Sequence, residues 1–185
     1  MTHFDITKFR NGNAVISDLS KYIHDYLIAN PDRRMFIGSD SNPRTNKFAV
    51  VIAFHTGYEN GHGVHYIYNT FRMKRTDRFN RLFNESKFIL EVAEFVETEL
   101  HDFKSSYANN LPSPYRKALY ENENVPKLPN GKFSTLHADV SSDEAHGSFI
   151  AYNAIIGYLT GHGYAVSAKP DSWSASCAAD AICKR

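Results

Sequence analysis

The sequence predicts an α/β protein with a mixed five-stranded sheet, flanked by helices and preceded by an N-terminal helix. Two observations predict this class. The first three strand-like runs follow one another through short turn-forming stretches, which is typical of an antiparallel meander, and the later runs alternate with helical stripes. As one domain, a chain of 185 residues can bury roughly 70% of its unfolded surface, so we expect a single domain over residues 1–185.

The N-terminal third predicts an arm, a helix and the meander. Residues 1–12 are polar and predict the arm. A helical period begins near Ile16, with Ser17 or Asp18 as N-cap, and Asn30 ends the helix because the proline that follows disfavours helical backbone before it. Strands are predicted over residues 35–40, 48–55 and 64–73.

Helices and strands then alternate around one long insertion. A helix over residues 77–103 carries an apolar stripe, and residues 104–132 hold four prolines that predict an inserted loop, either a flap over a site or a surface loop. A strand at 133–140, a helix at 148–159, a strand at 164–168 and a helix at 174–184 follow. This order is the connectivity of the ribonuclease H fold, in which helices cover both faces of a mixed sheet.

Charge and cysteine content restrict the partners and the compartment. The 21 basic and 20 acidic residues leave a net charge of +1, so any contact with nucleic acid must use a local basic patch. Cys177 and Cys183 are predicted to be free thiols of a reducing compartment. Residues 1–20 resemble no signal peptide, and no apolar run is long enough to span a membrane, so we expect a cytoplasmic protein. The sequence does not predict an oligomeric state.

Acidic residues at strand ends are the first candidate site residues. Asp40 stands where the first predicted strand ends, and Asp139 stands near the end of the fourth. If these strands are neighbours, both carboxylates lie at the same sheet edge, where they need water, a partner or a cation. The alternative for each residue is an aspartate that caps a turn.

Two further acids lie on helices. Glu85 shares the inward face of its helix with Leu82 and Ile89, so it needs a partner, either a metal or Arg81 or Arg78 one turn earlier. Asp180 lies in the last helix among small residues, and we prefer it to Asp171, which could cap that helix.

This set of acids suits divalent metal chemistry. Mg²⁺ binds carboxylate oxygens and substrate phosphate and keeps several waters, and two such ions about 4 Å apart can activate a water and stabilise the leaving oxygen of a phosphodiester. We therefore expect Mg²⁺ or Mn²⁺ at the catalytic and metal-binding residues, which are Asp40, Glu85, Asp139 and Asp180, with Asp171 as second choice.

Short blocks of the sequence resemble the YkuK-type family of ribonuclease-H-like proteins. The blocks are residues 37–41, 137–140 and 169–180, together with Glu85 and the later residues 90–93. The resemblance covers about residues 34–183 and implies a ribonuclease H fold with metal ligands at those four acids and a nucleolytic activity. The chain departs from the family pattern at the acidic stretch Ser142-Asp143-Glu144, where that pattern has asparagine and proline, and in a longer insertion before Asp139.

A basic stretch lies beside the acids in the sequence. It predicts a nucleic-acid track, and the alternative is a solvated connection between strand and helix. The candidate nucleic-acid-binding residues are Arg72, Lys74, Arg75, Arg78, Arg81 and Lys169. For His137 a core position is favoured over a ligand or proton shuttle, and for Trp173 packing on the sheet is favoured over stacking on a base.

Two functions follow from these residues. The first is a metal-dependent nuclease that hydrolyses phosphodiester bonds of RNA, DNA or a hybrid, and the second is a non-catalytic module of the same fold that binds nucleic acid or a protein partner. Serine hydrolysis, a nucleotide-binding P-loop and a zinc site are disfavoured because the sequence lacks their motifs.

Overall fold

The computed structural model describes residues 4–30, 33–55, 64–107 and 132–185. A π-helical stretch, Ser174–Ala179, leads directly into the last helix. The strands and helices of these residues are β1 (Arg10–Asn11), β2 (Ala14–Val15), α1 (Leu19–Ala29), β3 (Arg34–Asn42), β4 (Lys47–His55), β5 (His65–Arg72), α2 (Arg78–Tyr107), β6 (Ser134–His137), α3 (Phe149–Gly161), β7 (Ala165–Ser167) and α4 (Asp180–Lys184).

The described strands form one mixed sheet in the order β2-β1-β5-β4-β3-β6-β7. Strands β3, β4 and β5 are the predicted antiparallel meander, while β6 runs parallel to β3 and β7 parallel to β6. Strand β4 lies at the centre and is buried over seven of its nine residues, as its apolar run indicates. The predicted α/β class and mixed sheet are confirmed, with the five predicted strands adjacent to one another.

The strand count was predicted too low. The described sheet has seven strands, because β1, which lies within the expected arm of residues 1–12, pairs with β2 just after that arm to form a hairpin at the β5 edge. Arg10 pairs with Tyr68 of β5, and the preceding Phe9 is fully buried. Phe9 and Ile16, which flank the hairpin, both belong to the hydrophobic core, whereas the residues next to Phe9 are polar and gave no strand pattern.

Helix α2 crosses the sheet and positions the central part of the site. Asp77 caps its first turn by accepting a hydrogen bond from the Asn80 backbone N–H at 2.9 Å, which satisfies one of the free N–H groups there. The predicted inward stripe is confirmed, with Leu82, Ile89, Val92 and Val96 all buried. The helix runs four residues further than expected, to Tyr107, and residues 108–131 of the predicted insertion lie outside the described residues.

The C-terminal helical segment packs closely on β3. A Cβ added at Gly38 would lie 2.5 Å from the Ala175 backbone nitrogen, so only glycine permits this approach. His137 is buried beside it and accepts a hydrogen bond at 3.1 Å from the Ser174 N–H through Nδ1. Trp173 packs on His137 and Phe36. The core position predicted for His137 and the packing on the sheet predicted for Trp173 are therefore confirmed.

Both cysteines are free thiols, as predicted, with Cys177 exposed and Cys183 buried. Across the part of the chain that the structure describes, no helix is both long and apolar enough to cross a membrane.

Candidate functional site

The parallel pairing of β3 and β6 brings Asp40 and Asp139 to the same sheet edge. Gly38 of β3 pairs with His137 of β6. Asp40 lies two residues after Gly38, and Asp139 lies two residues after His137. Because side chains alternate along a strand, both aspartates project on the face that carries the C-terminal helix. The spatial relation predicted from the sequence is present.

Asp180 is the third acid of this edge. It lies where the π-helical stretch passes into α4, and that stretch is held against Gly38. Asp40, Asp139 and Asp180 together line one cleft of about 520 Å³, called the acidic cleft below. Basic residues also line it, and these are Arg78, Arg81, Lys169 and Lys184.

Glu85 lies behind this cleft, on the other side of the end of β3. It is only 3% exposed, and its Oε1 accepts hydrogen bonds from Ser41 Oγ at 2.5 Å and from Arg81 Nη1 at 3.0 Å. Arg81 Nη1 also donates to Ser41 Oγ at 2.6 Å. Glu85 is thus buried on the inward stripe, as predicted, and the alternative partner Arg81 is the one it contacts.

The acids influence one another through a poorly solvated region. Burial, and next the nearby charge of Asp139, raise the pKa of Asp40 to about 7, since both effects disfavour the charged carboxylate. Burial, and next the charge of Asp40, raise the pKa of Glu85 well above its usual range, although the contacts from Ser41 and Arg81 act in the opposite direction. The ionised forms of Asp40 and Glu85 are therefore unfavourable in this region when no further cation is present.

Cations of the protein contact the other two aspartates. Lys169 Nζ lies 3.0 Å from Asp139 Oδ2, and Lys184 Nζ lies 2.6 Å from Asp180 Oδ2. The Lys169 contact follows from the sheet, because its backbone N–H donates to the Val140 carbonyl beside Asp139. The second oxygen of Asp139, Oδ1, is buried and has no hydrogen-bond partner among the described groups.

The described side chains do not form a closed metal cage. Among residues 4–30, 33–55, 64–107 and 132–185, no group of three or more His, Cys, Asp and Glu side chains is arranged to hold a metal ion. Arg81, Lys169 and Lys184 each contact an acid that was predicted as a ligand. The second-choice ligand, Asp171, is exposed and does not line the acidic cleft.

The predicted basic residues divide between two clefts and the connection beside them. Arg78, Arg81 and Lys169 line the acidic cleft, and Arg72 lines a second cleft. Lys74 and Arg75 are exposed in the connection between β5 and α2 and line neither described cleft.

Two residues of the site were not expected from the sequence. Ser41 bridges Glu85 and Arg81, and strand alternation from Asp40 would have placed it on the α2 face. Lys184 contacts Asp180, and their spacing of four residues on a helix was the available signal.

The fold and the cleft define an α/β protein of ribonuclease H connectivity, with carboxylates at the ends of two parallel strands. A family model described as Ribonuclease H-like matches residues 14–184, and the chain belongs to this family. The resemblance to the YkuK family, which this family model represents, is thereby confirmed. Neither a curated protein nor a solved structure matches the chain significantly. Family membership supports a nuclease or a nucleic-acid-binding module as the general function.

Proposed function

We propose that the protein is a nuclease that hydrolyses phosphodiester bonds of RNA, DNA or a hybrid with Mg²⁺ or Mn²⁺ in the acidic cleft. The observation that carries this proposal is the convergence of Asp40, Asp139 and Asp180, from three separate elements, on one open cleft. Carboxylates gathered in this way are unfavourable unless a cation compensates them. The chain belongs to a family in which such an activity is expected.

The carboxylate oxygens of the cleft are the type of donor that a hard divalent cation prefers. Asp139 Oδ1 is buried without a partner among the described groups, and burial together with the nearby charge of Asp139 raises the pKa of Asp40 to about 7, so a cation beside these two carboxylates would be favourable. Asp40, Asp139 and Asp180, with Glu85 behind them, would hold the metal. When bound, Mg²⁺ or Mn²⁺ supplies an activated water and stabilises the leaving oxygen.

Basic residues of the same cleft contribute to substrate binding. Arg78 and Lys169 line the walls of the cleft, where they can contact the phosphates of a nucleic-acid strand. Arg81 holds Glu85 and Ser41 in place, so it positions the acid and also faces the substrate.

One set of observations favours the non-catalytic alternative. Three of the four acids contact a cation of the chain itself, and the net charge of the protein is +1. A module that binds nucleic acid without cutting it would keep these ion pairs and would need no metal.

Cleavage assays distinguish the two functions. Labelled single-stranded RNA, DNA duplex and RNA–DNA hybrid are incubated with the protein in EDTA, in Mg²⁺ or in Mn²⁺. We expect cleavage only with metal, no detectable cleavage by Asp40→Asn, and an unchanged rate for Asp25→Asn, whose carboxylate is exposed on α1 and pairs with Lys21. Binding without cleavage under every condition, or equal cleavage by Asp40→Asn, would refute the nuclease proposal.

A further inference from the structure

We propose that a second cleft, called the basic groove below, binds the sugar–phosphate backbone of the nucleic-acid strand that enters the acidic cleft. This inference rests on the proposed function and specifies the path of the substrate. The groove has a volume of about 350 Å³. Its lining includes four cationic residues and no acidic residue, and the cations are Lys47, Arg72, Lys184 and Arg185.

The sheet itself places two of these cations side by side. Lys47 begins β4 and pairs directly with Arg72, which ends β5. Two cationic side chains are thereby held next to each other at one end of β4 and β5, and both line the groove.

The contacts of Lys47 fix where its charge is presented. Its Nζ donates to the Ile182 carbonyl at 2.9 Å, so the side chain lies across the end of α4 beside the groove. Cys183, also in the lining, donates through its thiol to the Asp40 carbonyl at 3.0 Å. The wall of the groove is therefore joined directly to the strand end that carries Asp40.

The basic groove continues from the acidic cleft. Lys184 lines both, and the adjacent residues Asn42 and Pro43 line the groove and the cleft respectively. A ligand that spans both must carry repeated negative charge, which a phosphodiester strand does and a single phosphate does not. With one phosphodiester at the acids, the neighbouring phosphates would lie along Lys47 and Arg72.

Binding without metal tests the groove separately from catalysis. Anisotropy of a fluorescein-labelled single strand of 12 thymidines is measured in EDTA over a range of salt concentrations. Each phosphate contact contributes about 0.7 to the slope of log K against log salt for single strands. We expect Arg72→Gln and Lys47→Gln each to lower the slope by about 0.7 and to weaken binding roughly fivefold at 0.1 M salt.

Three controls make the assay specific. Lys21→Gln removes the same charge from α1, whose Tyr26 packs on His65 at the opposite end of β5, and it should bind like the wild type. Arg72→Lys keeps the charge in the groove and should retain the slope, which a folding defect would not allow. Poly-glutamate of matched charge should compete far less well than unlabelled oligonucleotide.

The outcomes separate the groove from the nuclease. The proposed binding in the groove would be overturned by any of three results: Arg72→Gln and Lys47→Gln bind like the wild type, the wild type does not bind, or poly-glutamate competes equally well. This holds even if metal-dependent cleavage is found. Groove-dependent binding with no cleavage in any metal would support the groove and overturn the nuclease.

Discussion

Removing the negative charge of Asp40 should stabilise the metal-free protein at neutral and alkaline pH. Burial and the charge of Asp139 raise the pKa of Asp40 from 3.8 to about 7. Each unit of difference between folded and unfolded pKa corresponds to about 1.4 kcal/mol, so the full cost of ionising this group is about 4 kcal/mol. Because Asp40 keeps some solvent contact, we expect Asp40→Asn to raise the free energy of unfolding by about 2–4 kcal/mol at pH 8.

The sign and the pH window follow from proton binding. Between pH 3.8 and about 7 the folded state holds a proton on Asp40 that the unfolded state has released, so wild-type stability from this group falls as pH rises through that range. Below the range both states are protonated and the gain from Asp40→Asn vanishes. Above it the gain is constant.

Urea unfolding in EDTA, followed by circular dichroism from pH 4 to pH 8, measures this gain. At pH 8 the melting temperature should also rise, by roughly 5–12 °C for a chain of this size. Asp25→Asn is the matched control, because an ion pair with Lys21 lowers the pKa of that exposed carboxylate and its removal should not stabilise the protein. A difference that does not change with pH, or a loss of stability in Asp40→Asn at pH 8, would refute the electrostatic account of the cleft.

Two further substitutions test the packing and the ion pair around the site. Gly38→Ala should lower the free energy of unfolding in urea by more than about 2 kcal/mol, because its Cβ would overlap the backbone of Ala175. Gly157→Ala is the control: a Cβ there would have nothing within 4 Å, so this variant should stabilise α3 by up to about 1 kcal/mol. Equal stability of the two variants would contradict the close contact between β3 and the C-terminal segment. Arg81→Met should lower the free energy of unfolding by about 3–5 kcal/mol at pH 8, because it leaves the carboxylate of Glu85 buried without its cation. The loss should be smaller at pH 5, because a carboxyl group with a raised pKa takes up a proton more readily there. A cost that is the same at both pH values would contradict the buried ion pair.

The pattern of apolar residues was sufficient to predict the central sheet and its helices. Strand β4 could be recognised because it is apolar between its two terminal residues, and α2 because its apolar stripe repeats at helical spacing. The hairpin β1–β2 could not, since its two strands have two residues each and depend on Phe9, a long-range contact that no local pattern encodes. The wider turn of the C-terminal segment, which is π-helical over Ser174–Ala179, could not be predicted from periodicity either.

The candidate site was predictable in position but not in its ion pairs. Asp40 and Asp139 follow strands that pair in parallel, so adjacency of the strands determines their proximity. Lys169 contacts Asp139 only because β6 and β7 continue side by side past their last paired residues. This contact depends on the exact register of two strands, which the sequence does not specify.

A crystal structure grown with Mn²⁺, with anomalous scattering measured at the manganese edge, tests the central claim most directly. We expect a manganese peak between Asp40, Asp139 and Asp180, with the Nζ atoms of Lys169 and Lys184 displaced from the carboxylates that they contact without metal. No peak in the cleft at millimolar Mn²⁺, with both lysine contacts retained, would contradict a metal-dependent site.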